Sequence, residues 1–198
     1  SIASPPHSPR SSARTRSRSA ERAPRSGYAP PLVRGFFAHP YPDRSRANHA
    51  LAEAARDVEG VSVRSLYDVY PDFAIDVTTE QALLVEADAV VFQHPLHWYA
   101  APALLHLWFE KVLTAGWAFG HEGNALEGKR CLWAVTTGGD EDAYTEAGIH
   151  QHTFDSFVPA MRQTAQLCKM RFEPPFIVHG ARRLSDTELA RTADRYQD

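Results

Sequence analysis

Three short segments of the chain carry groups that suit a phosphate and a flat aromatic ring. The first, residues 39–48, reads HPYPDRSRAN and leads into a segment with helical apolar spacing. Free N–H groups and the helix dipole at such an amino end attract anions. Ser45 and Asn48 add neutral hydrogen-bond donors there, and His39 and Arg46 add charge. The pattern fits a monophosphate, but for this segment alone Ser45 as a simple helix cap is the better explanation.

The second and third segments, residues 96–99 and 136–139, read LHWY and TTGG. LHWY supplies ring surface and backbone amides. TTGG supplies two hydroxyls and two positions without a Cβ, where a planar ring can approach the backbone. Taken singly, an aromatic pair more often packs in a core, and TTGG suits an ordinary tight turn. All three segments at one sheet edge favour a flavin, and the residues concerned here are Leu96, His97, Trp98, Tyr99, Thr136, Thr137, Gly138 and Gly139.

Several other kinds of site are disfavoured by the motifs that the sequence lacks. It contains neither GxGxxG nor GxxxxGK[ST], so a Rossmann-bound dinucleotide and a nucleoside triphosphate fit less well than the monophosphate of FMN. His94 with His97, and His150 with His152, lack a ligand spacing such as HExxH, and no cysteine pair supports them. No metal is therefore predicted. A serine hydrolase is also disfavoured because there is no Gly-x-Ser-x-Gly elbow.

Each of the three segments follows an apolar stretch that predicts a buried strand. These strands cover residues 32–38, 89–92 and 131–136, and Pro95 stops the second of them because it has no N–H to donate. The carboxyl ends of parallel strands meet at one edge of a sheet, where open α/β folds bind their ligands. The strands must therefore be parallel if they are to bring the three segments together.

Helical and strand patterns alternate five times along the chain. Further strands are predicted at residues 61–66 and 172–179, the latter delayed by Pro174 and Pro175. Helices are predicted at residues 45–57, 79–87, 104–113, 153–170 and 185–196. Ser45, Thr78 or Thr79, and Ser185 are the expected caps, and Pro159 is expected to kink its helix. The pattern predicts an α/β fold with a doubly wound parallel sheet of five strands. The flavodoxin-like order 2-1-3-4-5 follows by analogy, and the sequence equally permits a Rossmann order.

Composition separates a globular domain, residues 32–198, from an extension, residues 1–31. The extension is rich in Ser, Pro and Arg and is predicted to be disordered, with a transit peptide as the alternative. It holds six arginines and one acid, so the chain's net charge of −3 leaves −8 for the domain, which disfavours nucleic acid. Two cysteines without a disulfide pattern, and no apolar run of about 20 residues, favour the cytoplasm.

Two longer stretches resemble a known family. QHPLHWYAAPALLHLWFEKV, followed by GWAFGHEGNALEGKRCLWAVTTGG, is similar to the flavodoxin-like NAD(P)H:quinone oxidoreductases. Within them, the nearest resemblance is to the ancillary proteins of glutathione-gated Kef potassium efflux systems. AHPYPDRSRAN and RSLYDVYPDFAIDV fit the same family, so the resemblance covers residues 32–198.

The resemblance implies a flavin cofactor, FMN rather than FAD, with NADH or NADPH as co-substrate and a quinone as acceptor. It implies phosphate contacts at His39, Ser45, Arg46, Ala47 and Asn48, and ring contacts at residues 96–99 and 136–139. TTGGDEDAYTEAGIH also fits the family pattern of TTGG, then Tyr, then GIH. That match places Tyr144 and His150 beside the pyrimidine edge of the flavin. There they would stabilise the negative charge that arrives with hydride.

The resemblance further implies a ping-pong order of substrates and a homodimer, with residues 114–123 reaching across the subunit boundary. Two other roles stay open. The chain could serve mainly as a regulatory subunit of a Kef-type potassium/proton antiporter, as a peripheral protein at the inner face of the cell membrane. It could also be a one-electron carrier of the flavodoxin type. An α/β domain without a cofactor is the remaining alternative.

Overall fold

A twisted parallel sheet forms the centre of the protein, seen in a computed structural model that describes residues 30–198. Its strands pair in the order β2-β1-β3-β4-β5, and β6 also pairs with β4. This is the predicted flavodoxin-like order, which is confirmed. The strands are β1 (Val33–Phe37), β2 (Val61–Ser65), β3 (Ala89–Pro95), β4 (Arg130–Thr136), β5 (Arg171–Phe172) and β6 (Phe176–Val178).

The fifth position of the sheet differs from the prediction. A single strand over residues 172–179 was expected, but two short strands, β5 and β6, lie one after the other along β4. Pro174 and Pro175 separate them, because proline has no N–H to donate to a neighbouring strand. β3 is also longer than predicted, with Pro95 as its last residue, paired with Thr136.

Within residues 30–198, six α-helices connect and cover the strands. They are α1 (Arg46–Arg56), α2 (Leu66–Val69), α3 (Val77–Glu86), α4 (Ala103–Val112), α5 (Val158–Leu167) and α6 (Asp186–Gln197), with 3-10 turns at Pro42–Arg44, Glu141–Tyr144 and Phe154–Phe157. Ser45 caps α1, and Ser185 with Glu188 forms a capping box on α6, which confirms both predictions.

Two predicted helix features were wrong. Asp76, rather than Thr78 or Thr79, caps α3: its carboxylate accepts hydrogen bonds from the backbone N–H and the hydroxyl of Thr79, at 3.1 and 2.7 Å. Pro159 does not kink a helix that runs from residue 153. It lies in the first turn of α5, which begins at Val158, and there a missing N–H costs no hydrogen bond.

The two faces of the sheet are covered by different helices. Phe36 and Phe92 contact the Trp108 ring of α4, with centroid distances of 4.7 and 5.7 Å. The next residue of β3, Gln93, points the opposite way and accepts a hydrogen bond from Tyr196 of α6 at 3.2 Å. Alternation along a strand therefore places α4 on one face and α6, which packs against α1, on the other.

A buried carboxylate ties four elements together on the α4 face. Glu80 of α3 is completely buried. It accepts hydrogen bonds from Arg64 Nε of β2 at 2.7 Å, from the Tyr70 hydroxyl at 2.6 Å and from Trp108 Nε1 of α4 at 2.9 Å. Buried charges persist in folded proteins when they are paired in this way.

Two further predictions concern the disorder of residues 1–31 and the contact of loop 114–123 with a second subunit. The disorder predicted for residues 1–31 falls outside the described residues, apart from Pro30 and Pro31, which belong to no helix or strand. Trp117 and Phe119 are half-buried against the chain's own core.

Within residues 30–198, no helix combines the length and the apolar character needed to cross a bilayer.

Candidate functional site

A cavity of about 620 Å³ lies at the carboxyl ends of β1, β3 and β4. Because these strands are parallel, the three segments singled out in the sequence all end at this edge. The structure brings ten of the thirteen predicted cofactor-binding residues into the wall of this one cavity. They are His39, Ser45, Arg46, Ala47, Asn48, Leu96, His97, Thr136, Thr137 and Gly138.

The first turn of α1 forms one end of the cavity. Ser45 Oγ accepts a hydrogen bond from the backbone N–H of Asn48 at 3.3 Å, while the N–H groups of Arg46 and Ala47 precede the first intrahelical bonds. The Arg46 guanidinium points to the start of α6 and donates to the Leu184 carbonyl and the Asp186 carboxylate. Its charge is therefore partly neutralised, and the backbone supplies the neutral donors.

Asn48 brings an unused acceptor to the cavity. Its side chain is only 2% exposed, and Nδ2 donates to Thr136 Oγ1 at 2.6 Å. Among the described residues, its buried Oδ1 has no hydrogen-bond partner. An unmade hydrogen bond at a buried polar atom costs about 1–3 kcal/mol. A ligand with hydroxyl or N–H groups in the cavity would supply the missing donor.

The turn between β3 and α4 has an uncommon backbone. His97 and Ala100 exchange two backbone hydrogen bonds of 3.0 Å, and between them Trp98 and Tyr99 have φ angles of 49° and 63°. Two successive positive φ values define a type I′ turn, which normally carries Asn and Gly. Large side chains there cost about 1–2 kcal/mol each. Strain of this kind collects at functional sites.

The two aromatic side chains of this turn are not among the residues that line the cavity, and their contact with a flavin ring stays a prediction. Trp98 is 94% exposed. The Tyr99 ring stacks on Phe157 at 5.4 Å, and its hydroxyl lies 3.4 Å from His150 Nδ1. Sequence spacing does not reveal the left-handed backbone of this turn. Leu96 and His97 line the cavity in their place.

Tyr144 and His150 lie together beside the glycine turn. Their ring centroids are 4.4 Å apart, and Tyr144 is only 7% exposed. A Cβ at Gly139 would lie 3.3 Å from Tyr144 Cε2 and 3.4 Å from His150 Nε2, so this glycine gives the pair its space. Burial raises the pKa of the Tyr144 phenol, although a hydrogen bond with Thr137 opposes the shift. The phenol is therefore protonated at neutral pH and can act as a donor.

A fourth loop, residues 179–183 between β6 and α6, also reaches the cavity. Its Ala181 and Arg182 line the wall, and its His179 ring lies 5.1 Å from the Tyr144 ring. Sequence reasoning missed this loop. The signal that could have found it is the same edge rule, because the loop after the last parallel strand must also emerge there. Tyr41, Arg44 and Pro95 are further lining residues that were not predicted.

The described residues that line the cavity carry positive charge and include no acid. Arg44, Arg46 and Arg182 lie in the wall with His39 and His97. Burial, followed by the nearby His97 and Arg182, lowers the pKa of His39 to about 4. Burial and Arg182 also lower the pKa of His97. Both imidazoles are therefore neutral at pH 7, and the arginines give the cavity its charge.

Comparison with known proteins agrees with this geometry. Residues 36–198 match the family described as "Flavodoxin-like fold". The chain belongs to this family. Three solved structures resemble the flavodoxin-like chain over most of its length. One, described as a thermophilic tryptophan halogenase from Streptomycin violaceusniger, is 38% identical with a TM-score of 0.80, over 83% of this chain and 96% of that one.

The other two structures carry flavin or quinone descriptions. General stress protein 14 of Treponema denticola, in complex with FMN, is 34% identical with a TM-score of 0.78, over 84% of this chain and 95% of that one. An NADPH-quinone reductase from P. pentosaceus is 30% identical with a TM-score of 0.76, over 84% and 95%. The flavodoxin-like assignment therefore rests on sequence identity as well as on shape.

His94 supports the floor of this flavodoxin-like site. It is fully buried, and Trp133 Nε1 donates to its Nε2 at 2.7 Å. The Nδ1 atom must then carry the proton, which it donates to the Pro95 carbonyl at 2.9 Å. Burial lowers the pKa of His94 to about 4. The neutral imidazole thus fixes Pro95, a lining residue, against the core.

The buried His94 predicts that the free energy of unfolding falls in mild acid. Above pH 6.5 the side chain is neutral in both states, and its contribution is complete. Between pH 6.5 and about 4, His94 is protonated in the unfolded chain but stays neutral in the folded protein. This difference lowers the free energy of unfolding by up to about 3 kcal/mol. Urea unfolding from pH 7.5 to 4.5 measures the loss.

His94→Gln is the variant that isolates this effect, because its amide oxygen still accepts from Trp133 and does not titrate. Its free energy of unfolding should fall less steeply with acid than that of the natural chain. His49→Gln, an exposed change on α1, serves as the control and should keep the full slope. Equal slopes in all three proteins would exclude His94 as the cause.

Proposed function

We propose that the chain is an FMN-dependent NAD(P)H:quinone oxidoreductase that transfers two electrons as hydride. One observation carries the proposal: one cavity joins an arginine-lined end at α1, where residues 30–198 contribute no acid to the wall, to an open glycine turn backed by Tyr144 and His150. The first end suits a phosphate, and the second suits a ring that gains negative charge. The FMN complex and the NADPH-quinone reductase among the similar structures support the same choice.

The residues of the cavity fit FMN in specific ways. The N–H groups at the start of α1, with Ser45, would bind the phosphate, and the unpartnered Asn48 Oδ1 would accept from a ribityl hydroxyl or a ring N–H. A Cβ at Gly138 would meet no heavy atom within 4 Å, so the turn leaves room for a flat ring. FMN supplies the hydride chemistry when bound. Tyr144 and His150 would hold protons at the edge of the ring.

The order of substrates and the assembly are finer parts of the proposal. Gly138 is exposed, so NAD(P)H and the quinone would use the same open side one after the other, in a ping-pong order. A homodimer would cover exposed apolar side chains near this opening. Trp98 and Ile149 are 94% and 83% exposed, whereas Trp117 and Phe119 pack on the chain's own core. We therefore expect the first pair, rather than loop 114–123, to contact a second subunit.

Colour and turnover test the proposed function. The purified full-length chain should be yellow, should release FMN on denaturation, and should oxidise NADH or NADPH rapidly when menadione is added. A one-electron carrier would bind FMN but would not itself oxidise NAD(P)H at a useful rate. A colourless protein that does not take up added FMN would contradict the proposal.

The resemblance to Kef ancillary proteins supports a separate regulatory proposal. In it the chain also docks on a potassium/proton antiporter at the cytosolic membrane face, as a peripheral cytoplasmic protein. Co-purification of an antiporter with the tagged full-length chain from solubilised membranes would support this role. Recovery of the antiporter in equal amount from a tag-only control would count against it.

A further inference from the structure

The loop of residues 179–183 is fixed to the glycine turn of the site by backbone hydrogen bonds. Gly180 N–H donates to the Gly139 carbonyl at 2.7 Å, and Ala181 N–H donates to the Thr137 carbonyl at 2.9 Å. Gly180 has a φ of 60°, which only glycine adopts easily, and this reverses the chain. The loop therefore holds the next residue, Arg182, at the cavity wall.

Arg182 and its neighbour Arg183 have different surroundings. Arg183 Nη2 donates to Asp140 Oδ2 at 2.6 Å and does not line the cavity. Arg182 lines the cavity, and within residues 30–198 it makes no ion pair or hydrogen bond through its side chain. It lies close enough to His39 and His97 for its charge to lower the pKa of both.

The two other arginines of the cavity are less available to a ligand. Arg46 donates to Leu184 and Asp186 at the start of α6. Arg44 lies over the Tyr41 ring, 5.7 Å from its centroid. The remaining phosphate donors are the neutral amides and the hydroxyl at the start of α1. Among residues 30–198, Arg182 is therefore the arginine of the cavity wall whose guanidinium makes neither an ion pair nor a ring contact, and its charge is free to meet an anion.

We propose that Arg182 is the residue that makes this cavity select a phosphorylated flavin over an unphosphorylated one. The inference rests on the proposed flavin function and concerns the phosphate end of the same site. The first turn of α1 orients the phosphate through hydrogen bonds. Arg182 supplies the positive charge that attracts the phosphate, a group that riboflavin lacks. A hydrogen bond to a charged group contributes enough to change an affinity by about tenfold or more.

Parallel titrations with FMN and riboflavin test the inference. The flavin-depleted full-length chain is titrated with each flavin at fixed ionic strength, and binding is followed by quenching of flavin fluorescence. Arg182→Ala should reduce the preference for FMN over riboflavin by about tenfold, mostly through weaker FMN binding. Arg182→Lys should keep part of the preference, because the charge remains without the planar fork. Raising the salt concentration should lower the preference for FMN over riboflavin more in the natural chain than in the Arg182→Ala variant.

Arg183→Ala is the matched control, because it removes the same charge one position along the loop. Its preference for FMN should equal that of the natural chain. If Arg182→Ala keeps the natural preference, or weakens both flavins equally, the inference is wrong while the proposed function stands. If the natural chain binds neither flavin, the proposed function fails first, and the two failures are thus distinguishable. Circular dichroism of each variant verifies that it is folded.

Discussion

Replacing Tyr144 with Phe and His150 with Gln together should slow reduction of the bound flavin by NAD(P)H about a hundredfold. The phenol is nearly buried, its ring centroid lies 4.4 Å from that of His150, and Gly139 gives both side chains the space to approach the glycine turn. Donors fixed at the point where negative charge develops stabilise a transition state without having to reorganise. The double variant keeps the ring of residue 144 and a polar side chain at residue 150, but it removes the phenolic hydroxyl and the imidazole.

Stopped-flow absorbance, with FMN-loaded protein mixed against NADH or NADPH, measures the rate directly. FMN affinity should stay within about twofold, because the phosphate end and Asn48 are untouched. The two single variants should show non-additive effects, since neighbouring donors act on the same charge. His152→Gln, an exposed change in the same loop, is the matched control and should keep the natural rate. An unchanged rate in the double variant would remove this pair from the mechanism.

Glu80→Ala should lower the free energy of unfolding by about 3–5 kcal/mol. The change leaves the Arg64 guanidinium, the Tyr70 hydroxyl and the Trp108 indole N–H without the acceptor that they share. The half-buried guanidinium and the two buried donors each lose a hydrogen bond whose desolvation cost is then no longer offset. Because Trp108 also packs on Phe36 and Phe92, disorder at Glu80 should reach the centre of the sheet.

Urea unfolding followed by tryptophan fluorescence and by circular dichroism measures the loss. Glu86→Ala is the matched control: it removes an acid from the same helix, but one whose ion pair with Arg34 is exposed. Such a pair contributes about 1 kcal/mol or less. Similar losses in the two variants would show that the buried network adds nothing beyond a surface ion pair.

The sequence by itself determined the features that depend on neighbouring residues. Apolar runs predicted β1, β3 and β4, and the hydroxyls of Ser45 and Ser185 predicted the starts of α1 and α6. Parallel strands share one carboxyl edge, so finding these elements was enough to predict that the three segments would meet, and ten of the thirteen candidate residues line one cavity. Strand patterns and cap hydrogen bonds depend on residues that are close in sequence, which is why these strands and the two helix starts could be predicted.

Only the tertiary structure decided the features that depend on distant partners or on the sign of a backbone angle. Arg46 meets Asp186, 140 positions away, whereas Arg182 has no ion-pair partner within residues 30–198. Trp98 and Tyr99 have two successive positive φ values, which no sequence pattern indicated, and Trp98 is 94% exposed. Glu80 looks like an ordinary helix acid until three other elements supply its donors. Packing brings such groups together through contacts that no local pattern encodes, and the charge and the shape of the site depend on those contacts.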